Sequence, residues 1–117
     1  MWAKVILLVL MPVVAVANTN ECDNVLKTDD LIVCLGSSSQ RAHQALNRTY
    51  KDTVARLTKE QKALLVKSQR AWLVAKNNWC DLEASSVAGG QAYQPTYLEC
   101  DIRLTQVRTK EVATIGR

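Results

Sequence analysis

Thr58-Lys59-Glu60-Gln61-Lys62-Ala63-Leu64-Leu65-Val66-Lys67-Ser68-Gln69-Arg70-Ala71-Trp72-Leu73-Val74-Ala75-Lys76-Asn77-Asn78-Trp79-Cys80-Asp81-Leu82-Glu83-Ala84-Ser85 is the stretch whose pattern decides the fold. Thr58 is a residue that caps helix N-termini, and Glu60 and Gln61 follow in what would be the first turn. Leu65, Ser68, Trp72, Ala75, Trp79 and Leu82 then recur at alternating steps of three and four. A strand would alternate every second residue; this spacing is that of a helix with a heptad-like seam. The reading is one amphipathic helix to about Ser85, with Trp72 and Trp79 in the core rather than forming a sugar-stacking platform.

The flanks extend the pattern. Upstream, Ala42, Ala45, Leu46, Thr49, Tyr50, Val54 and Leu57 predict a helix over 40–57. Before it, Thr28-Asp29-Asp30-Leu31-Ile32-Val33-Cys34-Leu35 reads as a short helix capped by Thr28 and ended by Gly36. Ser37-Ser38-Ser39 either starts the next helix or kinks a continuous one. Downstream, the small-residue run from Ser86 to Gln91, with adjacent Gly89 and Gly90, breaks the chain. Pro95 suits the first turn of a third helix, striped by Leu98, Ile102, Thr105 and Val112. No segment alternates as a strand does. The expected fold is all-α, a small bundle of three main helices plus a short N-terminal helix. The chain has no Phe, so Tyr50, Trp72 and Trp79 are expected to supply much of its core area.

The first residues read as an export signal. Lys4 precedes an apolar run from Val5 that closes on Ala15-Val16-Ala17. The run is short of the roughly 20 residues that span a bilayer, and Ala-x-Ala marks a cleavage site. Residues 1–17 are therefore expected to be removed, leaving 18–117 as one domain in the periplasm or secreted, with no stable membrane anchor. Lipidation at Cys22 would need small residues before it, and Asn20-Glu21 stand there. Residues 18–117 hold 14 Lys and Arg against 11 Asp and Glu, a net +3. The charges are mixed along the chain, with no basic stripe of the kind nucleic acid requires.

Cys22, Cys34, Cys80 and Cys100 are separated by 12, 46 and 20 residues. Zinc sites use closer pairs, so two disulfides are expected and no metal or other cofactor. Local pairing, Cys22–Cys34 with Cys80–Cys100, closes two short loops and is favoured. The rival is Cys34–Cys80 with Cys22–Cys100, reachable if the chain turns near Thr58 into an antiparallel hairpin. No catalytic residue is assigned: His43 is the single histidine, and no partner can be placed beside it by sequence. The acids, Asp101 among them, lie near helix ends or on exposed faces. Asn47-Arg48-Thr49 fits a glycosylation sequon but falls inside a helix.

Several fragments in order carry a resemblance: Cys22 and Cys34, Leu46-Asn47-x-x-Tyr50, Gln69-Arg70-Ala71-Trp72, Cys80, Gly89-Gly90, Cys100 and Leu104-Thr105-x-x-Arg108. The set resembles the LprI-type lysozyme inhibitor domain of small bacterial envelope proteins. Two positions depart from that pattern: Lys76-Asn77 stands where an Arg-Asp pair is usual, and Gln91 where Ser or Thr is usual. The resemblance implies a non-enzymatic protein whose partner is lysozyme or another peptidoglycan hydrolase. The segment from Ser85 to Tyr93, with Gly89, Gly90, Gln91 and Tyr93, is the loop proposed to reach the enzyme's cleft. The alternative function is a structural or scaffolding envelope protein that binds another periplasmic component.

Overall fold

A computed structural model describes residues 21–87 and 90–117. Residues 1–17, expected to form an export signal, and Gly89 lie outside the described residues. Three helices follow one another: α1 Thr28–Val54, α2 Lys59–Ser85 and α3 Gly90–Ala113. No strand occurs among the described residues.

The short N-terminal helix is not a separate element. Its residues are the first turns of α1, which runs without interruption through Gly36 and Ser37-Ser38-Ser39. Leu35, Ser39, Ala42, Leu46 and Thr53 are buried along one face on both sides of the glycine. Gly36 costs roughly 1 kcal/mol inside a helix, less than the burial of Leu35 alone contributes at about 2 kcal/mol. Thr28 does not cap this helix. Lys27 holds the N-cap position and makes no side-chain bond, while Asp29 and Asp30 lie in the first turn as expected.

α2 starts as its sequence specifies. Gln61 N donates to Thr58 Oγ1 (3.2 Å), and Thr58 N donates to Gln61 Oε1 (2.9 Å), a complete capping box. Its buried face differs from the heptad seam. Leu65, Lys76, Cys80 and Ala84 are buried, with Trp72 partly so, whereas Trp79 is 52% and Leu82 59% exposed. Successive steps of four turn the facing side by about 40° each relative to the seam, and that drift carries Trp79 out of the core.

α3 begins at Gly90, one turn earlier than Pro95 suggests, and Pro95 lies inside it. Lacking an N–H, the proline forgoes only one bond near the helix start. α3 packs on both α1 and α2, and the pairing of α1 with α2 is far sparser. The aliphatic core gathers where the α1–α2 turn meets the C-terminus: Leu46, Leu57, Leu65 and Val112, flanked by Tyr50, Val54 and Trp72. The chain end is tucked onto it. Thr53 Oγ1 donates to Val112 O (3.1 Å), and the Arg56 guanidinium donates to Ala113 O (2.8 Å) and Ile115 O (2.9 Å). Those carbonyls close a helix C-terminus, where a cation is favourable. Gly116, at φ +74°, is required here: a Cβ would sit 2.7 Å from Leu57 Cδ2.

At the opposite end the joints are covalent. The Cys22–Cys34 disulfide (Cα–Cα 5.8 Å) ties the N-terminal turn to α1, and Cys80–Cys100 (5.5 Å) ties α2 to α3. Cys22, Cys80 and Cys100 are fully buried.

Candidate functional site

Where the three helices meet at mid-length, a polar joint replaces apolar packing. Asp101 of α3 is 4% exposed and faces Lys76 of α2, itself 5% exposed, in a buried ion pair. From α1, Ser39 Oγ donates to Asp101 Oδ2 (2.5 Å), and the half-buried His43 presents Nε2 at 2.9 Å from the same oxygen. Burial pushes the Asp101 carboxyl upward, but hydrogen bonds from Lys76, Ser39 and His43 outweigh it and hold the group below the ordinary aspartate range. The sequence reading puts Asp101 near a helix end or on an exposed face and gives His43 no partner; the fold buries Asp101 in mid-helix and sets His43 against it. Ser, His and Asp do come together, but in the wrong order for nucleophilic catalysis. Ser39 gives its proton to the carboxylate, not to His43, so no base is poised on the hydroxyl. The joint is a structural lock.

The fragments that carried the family resemblance are also structural. Leu46 and Tyr50 belong to the core. Arg108 of α3 donates to Gln69 Oε1 (3.0 Å) and Ser68 Oγ (2.8 Å), and lies 5.7 Å from the centre of the Trp72 ring. Lys76 Nζ lies 5.7 Å from the same ring. Lys76, at the position usually held by Arg, thus keeps a buried cation between Trp72 and Asp101. Thr105 is fully buried, and its Oγ1 has no partner.

The α2–α3 end differs in character. Gly90, Gln91 and Tyr93 are not loop residues; they occupy the first turns of α3. Gly90 and Gln91 are exposed, and Tyr93 is 38% exposed. The Tyr93 and Tyr97 rings stack with centroids 6.5 Å apart. Tyr93 Oη donates to Asp81, and Tyr97 Oη donates to Asn77 Oδ1 (3.2 Å), which joins the aromatic pair to α2. The Asp81 bond raises the Tyr93 phenol above its usual range, and burial raises Tyr97. On the other flank of α2, Trp79 Nε1 donates to Glu83 Oε1 (2.8 Å), which also accepts from Arg103 (2.7 Å). These bonds, that from Arg103 first, lower the Glu83 carboxyl.

Charge is mixed along the sequence but segregated in space. Consecutive helices run antiparallel, so the start of α1, the end of α2 and the start of α3 share one end of the molecule. Residues 21–38 and 77–100 hold Glu21, Asp23, Asp29, Asp30, Asp81, Glu83 and Glu99 against Lys27, a net −6. Residues 39–75 and 102–117 hold twelve Lys and Arg against Asp52, Glu60 and Glu111, a net +9. Lys76 and Asp101 cancel at the boundary, where the Arg41–Glu21 and Arg103–Glu83 pairs also cross it. Between Lys76 and Arg103 there is no Lys or Arg at all.

Among the described residues no cluster of acids, cysteines or histidine could hold a metal ion, and no helix is long and apolar enough to cross a membrane. The fold and its polar lock define a disulfide-bonded helical module whose exposed chemistry lies at its ends. The family model described as "Lysozyme inhibitor LprI" matches residues 20–112, and the chain belongs to that family. Comparison with curated proteins and with solved structures gave no match.

Proposed function

We propose that this protein is an exported inhibitor that binds a lysozyme or another peptidoglycan-cleaving enzyme through its acidic, aromatic end. Family membership supports the inhibitor class. The observation that carries the choice of surface is the run from Asn77 to Ile102, which has acids but no Lys or Arg and displays Tyr93 and Tyr97. Animal lysozymes are strongly basic, so a −6 end offers the complementarity that the whole-chain charge conceals, and it would steer encounter and set orientation. Tyrosines held by Asp81 and Asn77 are the kind of preorganised anchors that dominate interfaces. In this reading Gly90, Gln91 and Tyr93 contact the enzyme from the rim of α3. Residues 1–17 act as the cleaved signal that brings 18–117 to the envelope, and the protein itself performs no catalysis.

A lysis assay with purified protein tests this directly. The expected result is slowed lysis that weakens with added salt, and at least ~10-fold weaker inhibition by D81K/E83K, since mutations in charged interfaces reach that size. Absence of inhibition at micromolar protein, for basic lysozymes, would remove the reading and favour a scaffolding role.

A further inference from the structure

The opposite end carries its own chemistry. Lys51, Lys59, Lys62, Lys110 and Arg117 are all exposed around the α1–α2 turn and the C-terminus, within the +9 half of the molecule. Among them stand two large apolar side chains that the fold does not cover, Leu64 (68% exposed) and Ile115 (44%). Both line an open cavity of about 290 Å³ floored by Leu65 and Val112, with Arg108 and Glu111 also on its wall. Glu60 and Asp52 are the other acids of this end, and they leave it clearly basic.

We propose that this basic end docks on the surface of an anionic phospholipid membrane. Lysines near such a surface are attracted individually, and exposed apolar residues among them can enter the boundary between headgroups and acyl chains. The charge pattern alone would also suit a soluble polyanion, but that partner gives Leu64, Ile115 and the apolar cavity nothing to bury against. A bilayer does. Docking is peripheral, since no described helix can span the membrane. The charge separation also fixes orientation: the −6 end is repelled from the lipid and points away from it. This proposal uses residues on the other end from the inhibitory surface and stands or fails apart from it.

Co-sedimentation of the purified protein with vesicles tests it, using phosphatidylcholine alone, an equal mixture with phosphatidylglycerol, and inorganic polyphosphate as a soluble competitor. Binding at least ~10-fold tighter to the phosphatidylglycerol vesicles is expected, and K59E/K62E should lose most of that preference. Leu64→Ser, a neutral change at an exposed position that should not affect folding, is expected to weaken vesicle binding ~10-fold while leaving polyphosphate binding unchanged. Equal binding to both vesicle types would overturn the proposal. So would a Leu64→Ser protein that binds anionic vesicles as well as wild type, which would mark the end as a polyanion site instead. Thermal melts of both variants would confirm that they fold.

Discussion

The two ends of this molecule are held together by different forces. At the basic end, Leu46, Leu57, Leu65 and Val112 exclude water, and the C-terminus folds back to complete their cover. At the acidic end the buried set is small, Leu35, Ala84 and three cysteines. There the Cys80–Cys100 and Cys22–Cys34 bonds do what burial does elsewhere. The difference teaches that an end stapled covalently does not need its large side chains inside. Tyr93, Trp79 and Leu82 can therefore stand partly in solvent, where a partner could reach them.

The comparison can be broken first at the boundary. Lys76→Ala would leave Asp101 buried beside Ser39 and His43 without its cation, and about 4 kcal/mol of stability should be lost. Replacing both members, K76M/D101L, should cost much less, because no uncompensated charge remains. Chemical denaturation of the three proteins checks this; equal losses would show that the lock acts through packing alone. The same carboxylate shapes the acid limb of stability. Its pKa is depressed on folding, so its contribution is fully present above the unfolded value near 3.9 and disappears as pH falls through the folded value. Melting temperature should therefore drop below about pH 4.

A smaller effect sharpens the contrast between the ends. C80S/C100S should lower stability by about 3 kcal/mol, the value for a loop of this length. Hydrogen exchange should then rise at the ends of α2 and α3 facing that loop and stay slow around Leu46 and Val112. Uniform loosening would mean that the two ends are not independently secured. Smallest of all, Gly36→Ala should raise stability by roughly 0.5–1 kcal/mol. Open space surrounds the missing Cβ, so thermal unfolding should register the gain of helix propensity without a clash.

Much of the fold was legible along the chain. Thr58 and Gln61 announced α2, and the apolar steps from Ala42 to Leu57 announced the body of α1. What misled were signals that compete locally. Gly36 reads as the end of a short helix and the serines as a new start or a kink, yet Leu35 and Ser39 lie on one buried stripe with Ala42 and Leu46, along the helix that packs on α3. Pro95 read as a helix start, yet a proline one turn in loses a single bond, so the helix begins at Gly90. The candidate site was less legible. Gly90, Gln91 and Tyr93 lie on a helix rather than in the expected loop, and the bonds that join Asp81 and Asn77 to Tyr93 and Tyr97 are hidden in the sequence because they span 12 to 20 residues. One signal was available, the absence of Lys and Arg between Lys76 and Arg103.

The sequence by itself determined that the chain is helical, roughly where the helices turn and that its cysteines can close two short loops, because capping, spacing and loop closure are local properties. Tertiary structure alone decided which side of α2 is covered, why Trp79 stays outside, that Asp101 is buried on Lys76, and that a mixed charge string becomes a −6 end and a +9 end. The reason is geometric. Antiparallel helices bring residues far apart in the chain to one level, and only the neighbour a helix packs against selects which of its faces is excluded from water.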